Sequence, residues 1–181
     1  MKFIKQNIAG LYLLRPESFK DKRGLLRRHF CEKEFKKKDI SFKIRQTNVS
    51  ENYKKYTLRG FHYQKEPYGE KKIISCIKGS IYNIVLDIRI NSKTYLKWQS
   101  YELNDENRLS LILPKGCANA YLTLKDNTWI LYYHSEFYKK VSEKRIRFND
   151  PIFNFYWPKQ PKIISNKDLN VNNYKLIKVN K

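Results

Sequence analysis

The stretch KKIISCIKGSIYNIVLDIRINS, residues 71–92, decides the fold class of this chain. It contains two short blocks of β-branched and apolar residues, which are separated by Gly79 and followed by the turn pair Asn91–Ser92. Blocks of about five to eight such residues between turn residues are typical of β-strands. The stretch therefore predicts two strands with a turn at Gly79.

Two later stretches repeat this pattern. They are LKWQSYELNDENRLSLILPKG (96–116), with the turn pair Asn104–Asp105, and AYLTLKDNTWILYYHSEF (120–137), with the turn pair Asp126–Asn127. Many short strands at this spacing are typical of an antiparallel β-sandwich or β-barrel. We therefore expect an all-β fold.

One short helix and one domain complete the prediction. The segment CEKEFKKKD (31–39) is the best helix candidate, because Phe30, Phe35 and Ile40 would share one apolar side. The chain has 181 residues, of which 41% are hydrophobic, and this is enough to bury a sizeable core. We find no internal repeat and no linker, so we expect a single domain over residues 1–181.

The strong positive charge does not indicate a nucleic-acid partner. The formal net charge is +21, but the basic residues are spread from Lys2 to Lys181. The one dense segment, EKEFKKKD (32–39), carries acidic residues at both ends. Because nucleic-acid binding needs clustered basic residues, we expect the charge to attract small anionic substrates instead.

The sequence also gives expectations about location and redox state. No apolar run approaches the roughly 18 residues of a membrane span, and the segment 1–14 lacks the apolar core and cleavage site of a signal peptide. We expect a cytoplasmic protein with no membrane partner. Cys31, Cys76 and Cys117 are odd in number and widely spaced, so we expect reduced and mostly buried thiols.

The stretch LRGFHYQ (58–64) places a single histidine, His62, inside a strand-like run. Metal sites of cupins, which are small double-stranded β-barrels, use two histidines one residue apart and a further histidine after a P-x-G turn. Here Gln64 stands two residues after His62, where the second histidine would be. Asn119 stands after the turn PKG (114–116), where the further histidine would be. A divalent metal would have too few ligands, so we expect no metal site. His62 is then either a proton carrier or a structural histidine with one satisfied hydrogen bond.

A series of motifs carries a family resemblance over most of the chain, from about Gly10 to Asp168. In order they are DKRG (21–24), RQTNVS (45–50), LRGFHYQ (58–64), Lys72, IKGSIYNIVLDIRINSKTYLKW (77–98), LPKGCANAYLTL (113–124), LYYHSEFY (131–138), RFNDP (147–151) and YWP (156–158). The set resembles the nucleotide-sugar 4-keto-6-deoxyhexose 3,5-epimerases, the dTDP-4-dehydrorhamnose 3,5-epimerase family of bacterial surface-polysaccharide synthesis. The resemblance implies a cupin-type β-jelly roll with short peripheral helices, and a homodimer that exchanges strands between subunits.

The same resemblance implies a reaction without a cofactor on a nucleotide-diphosphate 4-keto sugar. A carbon next to a ketone can lose its proton if the enolate oxygen is stabilised, and inversion needs a proton returned from the other face. The resemblance implies that His62 is the base, that Asp168 holds it, that Tyr132 is the acid on the opposite face and that Lys72 lies near the keto oxygen. Taken alone, Lys72 also fits a solvated lysine at a strand edge, and Tyr132 fits a core tyrosine.

Further positions are implied for substrate binding. Arg23 and Arg59 match arginines that hold the nucleotide, whose diphosphate suits guanidinium groups. Taken alone, Arg23 also fits a surface arginine that stabilises a turn. The other matching positions are Gln46, Asn48, Tyr138, Glu143 and Lys167. As isolated residues, Gln46 and Asn48 also fit satisfied amides at a strand end.

The chain departs from the family pattern at two positions that we also place in the substrate site. Asn119 stands where the family has a histidine; an amide can donate a hydrogen bond to the enolate oxygen but cannot carry charge. Arg28 stands where the family has a glutamate that accepts the N–H of thymine, and an arginine has only donors. Arg28 would suit a base that offers acceptors, so the substrate need not be a dTDP sugar. Alternatively, Arg28 points outward and a neighbouring residue contacts the base.

Several other functions stay open. Inversion at C3 alone would be one consequence of Asn119. A 3,4-ketoisomerase on another sugar nucleotide is disfavoured by the pairing of LRGFHYQ with LYYHSEFY. A sugar-nucleotide binding protein without activity is the alternative from another class.

Overall fold

The computed structural model describes residues 1–176, and residues 177–181 of the expected domain lie outside the described residues. The described chain is built almost entirely of strands. These are β1 (Lys2–Lys5), β2 (Tyr12–Arg15), β3 (Ser18–Asp21), β4 (Gly24–Arg27), β5 (Gln46–Asn52), β6 (Thr57–Gln64), β7 (Lys72–Lys78), β8 (Ser80–Asp87), β9 (Trp98–Asn104), β10 (Ser110–Leu113), β11 (Cys117–Thr123), β12 (Thr128–His134), β13 (Glu143–Arg145) and β14 (Ile163–Ile164). Two short helices are α1 (Glu32–Lys36) and α2 (Asn166–Leu169), and a 3₁₀ turn spans Lys140–Ser142.

The strands form two main sheets. The first sheet has the order β1-β2-β10-β7-β12-β5, and the second has the order β13-β6-β11-β8-β9, with β14 beside β6. From β5 to β12 the chain crosses from one sheet to the other at each connection, except at the β8–β9 hairpin. This alternation is the path of a jelly roll, and it confirms the predicted all-β fold.

The first quoted stretch forms two strands, as predicted, but they do not pair with each other. Gly79 takes the chain from β7 in the first sheet to β8 in the second. Its φ is +80°, and a Cβ atom there would collide with Thr128. Only glycine adopts this conformation readily, which explains why a glycine stands at this crossing between the sheets.

Apolar layers cover both faces of the sheets, which explains the nearly continuous apolar runs. Ile74 and Cys76 of β7 point between the sheets, where they pack with residues of the second sheet such as Val85 and Tyr121. Ile73 points the other way, into a layer built on Phe35 of α1. The predicted helix is confirmed as α1, and its Phe35 packs against the outer face of the first sheet.

One hairpin lies outside both sheets. β3 and β4 pair only with each other in the described chain. This hairpin exposes Phe19, Leu25 and Leu26, and the exposed fraction of Leu26 is 72%. The hairpin therefore presents an apolar surface that residues 1–176 leave exposed.

Candidate active site

A cavity of about 260 Å³ opens between the two sheets. His62 and Asn119 line it from the second sheet, while Lys72 and Tyr132 line it from the first. Strand alternation places the polar groups here: Lys72 continues the inward row of Ile74 and Cys76 on β7. The cavity is thus the polar end of the space that the core fills elsewhere.

A β-bulge in β6 brings Arg59 and His62 to the same side. Asn119 pairs with His62 and Tyr121 pairs with Arg59, so two residue steps on β11 oppose three on β6. Without the bulge, residues 59 and 62 would point to opposite faces of the sheet. Gly60 at the bulge has a φ of +116°, and a Cβ atom there would lie 2.5 Å from the carbonyl oxygen of Asn119. The bulge therefore requires glycine.

Asp168 holds His62 from behind. Nε2 of His62 lies 2.7 Å from Oδ1 of Asp168, and the backbone N–H of Gly60 donates to Oδ2 at 3.4 Å. Ser165 caps α2 by accepting from the backbone N–H of Asp168 at 3.2 Å. Burial acts to raise the pKa of Asp168, but hydrogen bonds from His62 and the Gly60 backbone, with the charge that His62 carries when it is protonated, lower the pKa. An ionised Asp168 fixes the tautomer with the proton on Nε2, so that Nδ1 is the basic nitrogen.

Arg145 shares this carboxylate. Its Nε donates to Oδ1 of Asp168 at 3.1 Å, and its Nη2 lies 2.8 Å from Oε2 of Glu143. Arg145 is opposite His62 in the pairing of β13 with β6. The cation therefore helps to keep Asp168 ionised.

Tyr132 reaches the cavity from β12. Burial raises the pKa of Tyr132 well above its usual value, and the neighbouring Tyr121 acts in the same direction. The hydroxyl of Tyr121 is in turn 3.1 Å from Ser50 Oγ and 3.3 Å from Asn52 Oδ1. Tyr132 thus holds its proton at neutral pH and can act as a proton donor.

Lys72 is buried and not solvated. Its side chain is 9% exposed, and Nζ lies 3.2 Å from Oε1 of Glu70 and 3.5 Å from the carbonyl oxygen of His62. The alternative of a solvated strand-edge lysine is therefore wrong. A buried ammonium can stabilise negative charge on a ligand in the same cavity.

Most of the residues expected to bind substrate lie around the cavity. Arg59 lines it and donates from Nε to Asn52 Oδ1 at 2.9 Å, and Asn48 lines it from β5. The hydroxyl of Tyr138 donates to Oε2 of Glu143 at 3.1 Å, and both residues line the mouth. Gln46 lies just outside, where its Nε2 donates to Asn48 Oδ1 at 3.2 Å.

Three expected residues lie away from the cavity in the single chain. Arg23 is 90% exposed at the turn of the β3–β4 hairpin and binds Asp21 there, as a turn-stabilising arginine would. Arg28 forms an ion pair of 2.9 Å with Glu34 beside the chain's amino terminus. Lys167 is exposed on α2.

Sequence reasoning missed Glu70, His134 and Arg145. His134 had a detectable signal, because it extends the inward row of Ile130 and Tyr132 on β12 with the strand period of two. Glu70 precedes β7 and Arg145 lies on a three-residue strand, so neither had a period from which a direction could be inferred.

Two classes of feature are not found in residues 1–176. No group of three or more histidine, cysteine or acidic side chains is placed to hold a metal ion. Nor does this part of the chain contain a helix with the length and apolar composition of a membrane span.

Comparisons with known proteins show the family of this chain. A family model described as dTDP-4-dehydrorhamnose 3,5-epimerase matches residues 5–175. The chain is 35% identical over 176 residues to the dTDP-4-dehydrorhamnose 3,5-epimerase of Shigella flexneri, with 94% of each chain covered.

Solved structures give the same result. The chain is similar to the dTDP-4-dehydrorhamnose 3,5-epimerase of Bacillus anthracis with TDP and PPi bound, with a TM-score of 0.92, 31% identity and coverage of 96% and 99% of the two chains. It is also similar to the Legionella pneumophila 3,5-epimerase in complex with dTDP-4-keto-L-rhamnose, with a TM-score of 0.87, 29% identity and coverage of 92% and 89%. The chain belongs to the dTDP-4-dehydrorhamnose 3,5-epimerase family.

Proposed function

We propose that this protein is a cofactor-independent isomerase that inverts C3 and C5 of a nucleotide-diphosphate 4-keto-6-deoxy sugar. One observation carries the proposal: His62 and Tyr132 enter one cavity from opposite sheets, and the buried ammonium of Lys72 enters it with them. Two proton carriers on opposite faces and one cation are what inversion next to a ketone needs.

The chemistry follows from the tautomer of His62. Nδ1 takes the proton from the carbon next to the ketone, and the electron pair of the C–H bond moves to the ketone oxygen as an enolate. Lys72 stabilises the negative charge on that oxygen, with Asn119 as a neutral donor. Tyr132 then gives its proton to the opposite face of the carbon, and solvent restores the protonation states of both residues.

The nucleotide part is held by guanidinium groups in this proposal. Arg59 lines the cavity, where it can contact a diphosphate. Gln46, Asn48, Tyr138 and Glu143 contact the sugar nucleotide around the mouth, and Lys167, which lies on α2 away from the cavity, contacts the part of the nucleotide that extends beyond the mouth.

A homodimer brings in the residues that the single chain leaves outside. The exposed Phe19, Leu25 and Leu26 would be buried against a second copy, with the β3–β4 hairpin as the exchanged element. Arg23 and Arg28 would then reach the cavity of the partner subunit. We further propose that the chain is one epimerase domain and acts in the cytoplasm.

The test is deuterium uptake in D₂O with a panel of nucleotide 4-keto-6-deoxy sugars, followed at each ring carbon by NMR. Label at C3 and C5 that disappears in His62→Ala supports the double epimerase. Label at C3 alone reduces the function to a single centre. No label with any sugar would overturn the activity and favour a binding protein.

A further inference from the structure

A second pair of an imidazole and a carboxylate lies in the same cavity as His62, on the facing sheet. Nδ1 of His134 is 2.8 Å from Oε2 of Glu70. Both side chains are largely buried, with exposed fractions of 13% and 8%. The pair thus stands in the described cavity without a part in the chemistry proposed above.

A chain of hydrogen bonds with a single direction runs through this pair. Gln46 Nε2 donates to Asn48 Oδ1 at 3.2 Å, and Asn48 Nδ2 lies 3.4 Å from Nε2 of His134. This makes Nε2 the acceptor, so that Nδ1–H of His134 donates to Glu70, whose other oxygen is 3.2 Å from Nζ of Lys72. These hydrogen bonds therefore connect the edge strand β5 to the Lys72 ammonium in the cavity.

The strand register builds this path. His134 is opposite Gln46 on β5 and opposite Lys72 on β7. The ring of His134 also stacks on Tyr132, with centroids 5.7 Å apart and planes 24° apart. The imidazole is thus held on several sides.

Glu70 has a different partner on each oxygen. Burial acts to raise the pKa of Glu70, but the hydrogen bond from His134 and the charge of Lys72 outweigh it and lower the pKa. Without the His134 donor, the carboxylate is free to rotate and to take the Lys72 ammonium on both oxygens. Because lysine is a point charge on a flexible stem, its ammonium would then move toward Glu70.

We propose that His134 is a positioning residue: by holding Glu70, it fixes the Lys72 ammonium where the ketone oxygen of the substrate gains negative charge. The inference rests on the proposed function and names a further residue of that same site. Correct placement matters more here because Asn119 supplies no charge to the enolate.

The test combines two variants with an NMR readout that needs no activity. His134→Phe keeps an aromatic ring against Tyr132 but removes the donor, whereas His134→Asn places an amide near the position of Nδ1. Tyr133→Phe, on the opposite face of β12, is the matched control. The ¹⁵Nζ signal of Lys72 is assigned with Lys72→Arg, and a held ammonium gives a slowly exchanging signal.

We expect this signal in the wild type, its loss in His134→Phe, and its return in His134→Asn. We also expect kcat to fall by about 10-fold to 10²-fold in His134→Phe with little change in KM. The kinetic isotope effect on removal of the C–H proton should rise, because enolate formation becomes the slow step. In a Lys72→Met background, His134→Phe should cause no further loss.

The outcomes distinguish the positioning role of His134 from the proposed function of the protein. An unchanged Lys72 signal in His134→Phe overturns the positioning role, whatever the activity. An equal loss of kcat in the Lys72→Met background also overturns it, because His134 would then act independently. If the signal is lost but the wild type takes up no deuterium from any sugar, the positioning contact stands and the proposed function fails.

Discussion

Asp168 and His62 are 106 residues apart in the chain, yet a carboxylate oxygen of one lies 2.7 Å from Nε2 of the other. Parallel pairing of β14 with β6 and the short helix α2 bring the carboxylate behind the imidazole. The contact sets which nitrogen of His62 faces the chemistry.

We predict that Asp168→Asn lowers kcat/KM by about 10²-fold or more, because a neutral amide neither fixes the tautomer nor stabilises the imidazolium. Steady-state kinetics with the best sugar of the deuterium panel measures the effect. Asp126→Asn, an exposed loop position, is the control. Equal kinetics for the two variants would contradict the role of Asp168.

Tyr132→Phe should separate exchange from inversion. His62 would still remove a proton, exchange it for a deuteron from D₂O and deliver that deuteron to the same face of the carbon, so deuterium should enter with retention of configuration. We expect the rate of inversion to fall by about 10²-fold to 10⁴-fold, the range for loss of an acid–base group. NMR of the sugar product distinguishes the two processes. Unchanged inversion would assign the acid role to another residue.

Gly60→Ala should damage both stability and activity. The new Cβ atom would meet the backbone of Asn119 and Ala120 within 2.6 Å and would need a φ of +116°. We expect the free energy of unfolding to fall by about 1–3 kcal/mol, as for overpacking elsewhere. Denaturant unfolding measures this change. Gly24→Ala on the hairpin, where no atom of the described residues lies within 4 Å of the new Cβ, separates the steric effect from the effect of a positive φ.

Acid should destabilise the protein through carboxylates that include Asp87. Burial acts to raise the pKa of Asp87, but the hydrogen bonds that its carboxylate accepts from Arg89, Ser92 and Thr94 lower the pKa below the usual 3.8. A pKa that is lower in the folded state gives stability that is fully present above the unfolded value and is lost as the pH falls through the folded one.

We therefore expect the free energy of unfolding to decrease as the pH falls below about 4. Asp87→Asn should be less stable than the wild type at pH 7 and should lose less on acidification. Urea unfolding at several pH values tests both statements. A variant with the acid dependence of the wild type would exclude Asp87 as a contributor.

Arg28→Glu tests the choice of nucleobase. If Arg28 contacts the base in a homodimer, the wild type should prefer a base that offers acceptors, and the variant should shift toward thymine. Ratios of kcat/KM for dTDP, CDP and GDP sugars measure the preference. A clear dTDP preference in the wild type, or an unchanged ratio, would leave Arg28 with only its ion pair to Glu34.

The strands and turns were predictable because their signals are local. Residues 71–92 show two apolar blocks around one glycine, and the structure has β7 and β8 there. The roles expected of His62, Tyr132 and Lys72 came from the family that the ordered motifs resemble. The sequence did not reveal that Gly79 crosses between sheets, because the partner of a strand depends on contacts with distant segments.

By itself, then, the sequence determined the all-β fold and the residue types of the proposed chemistry. The tertiary structure decided the environment of those residues: the bulge at Gly60, the two side chains that contact the Asp168 carboxylate, and the Glu70–His134 pair beside Lys72. These contacts join strands that are far apart in the chain, and their directions depend on register and twist. The periodicity along one strand does not indicate which residues lie opposite it across the cavity.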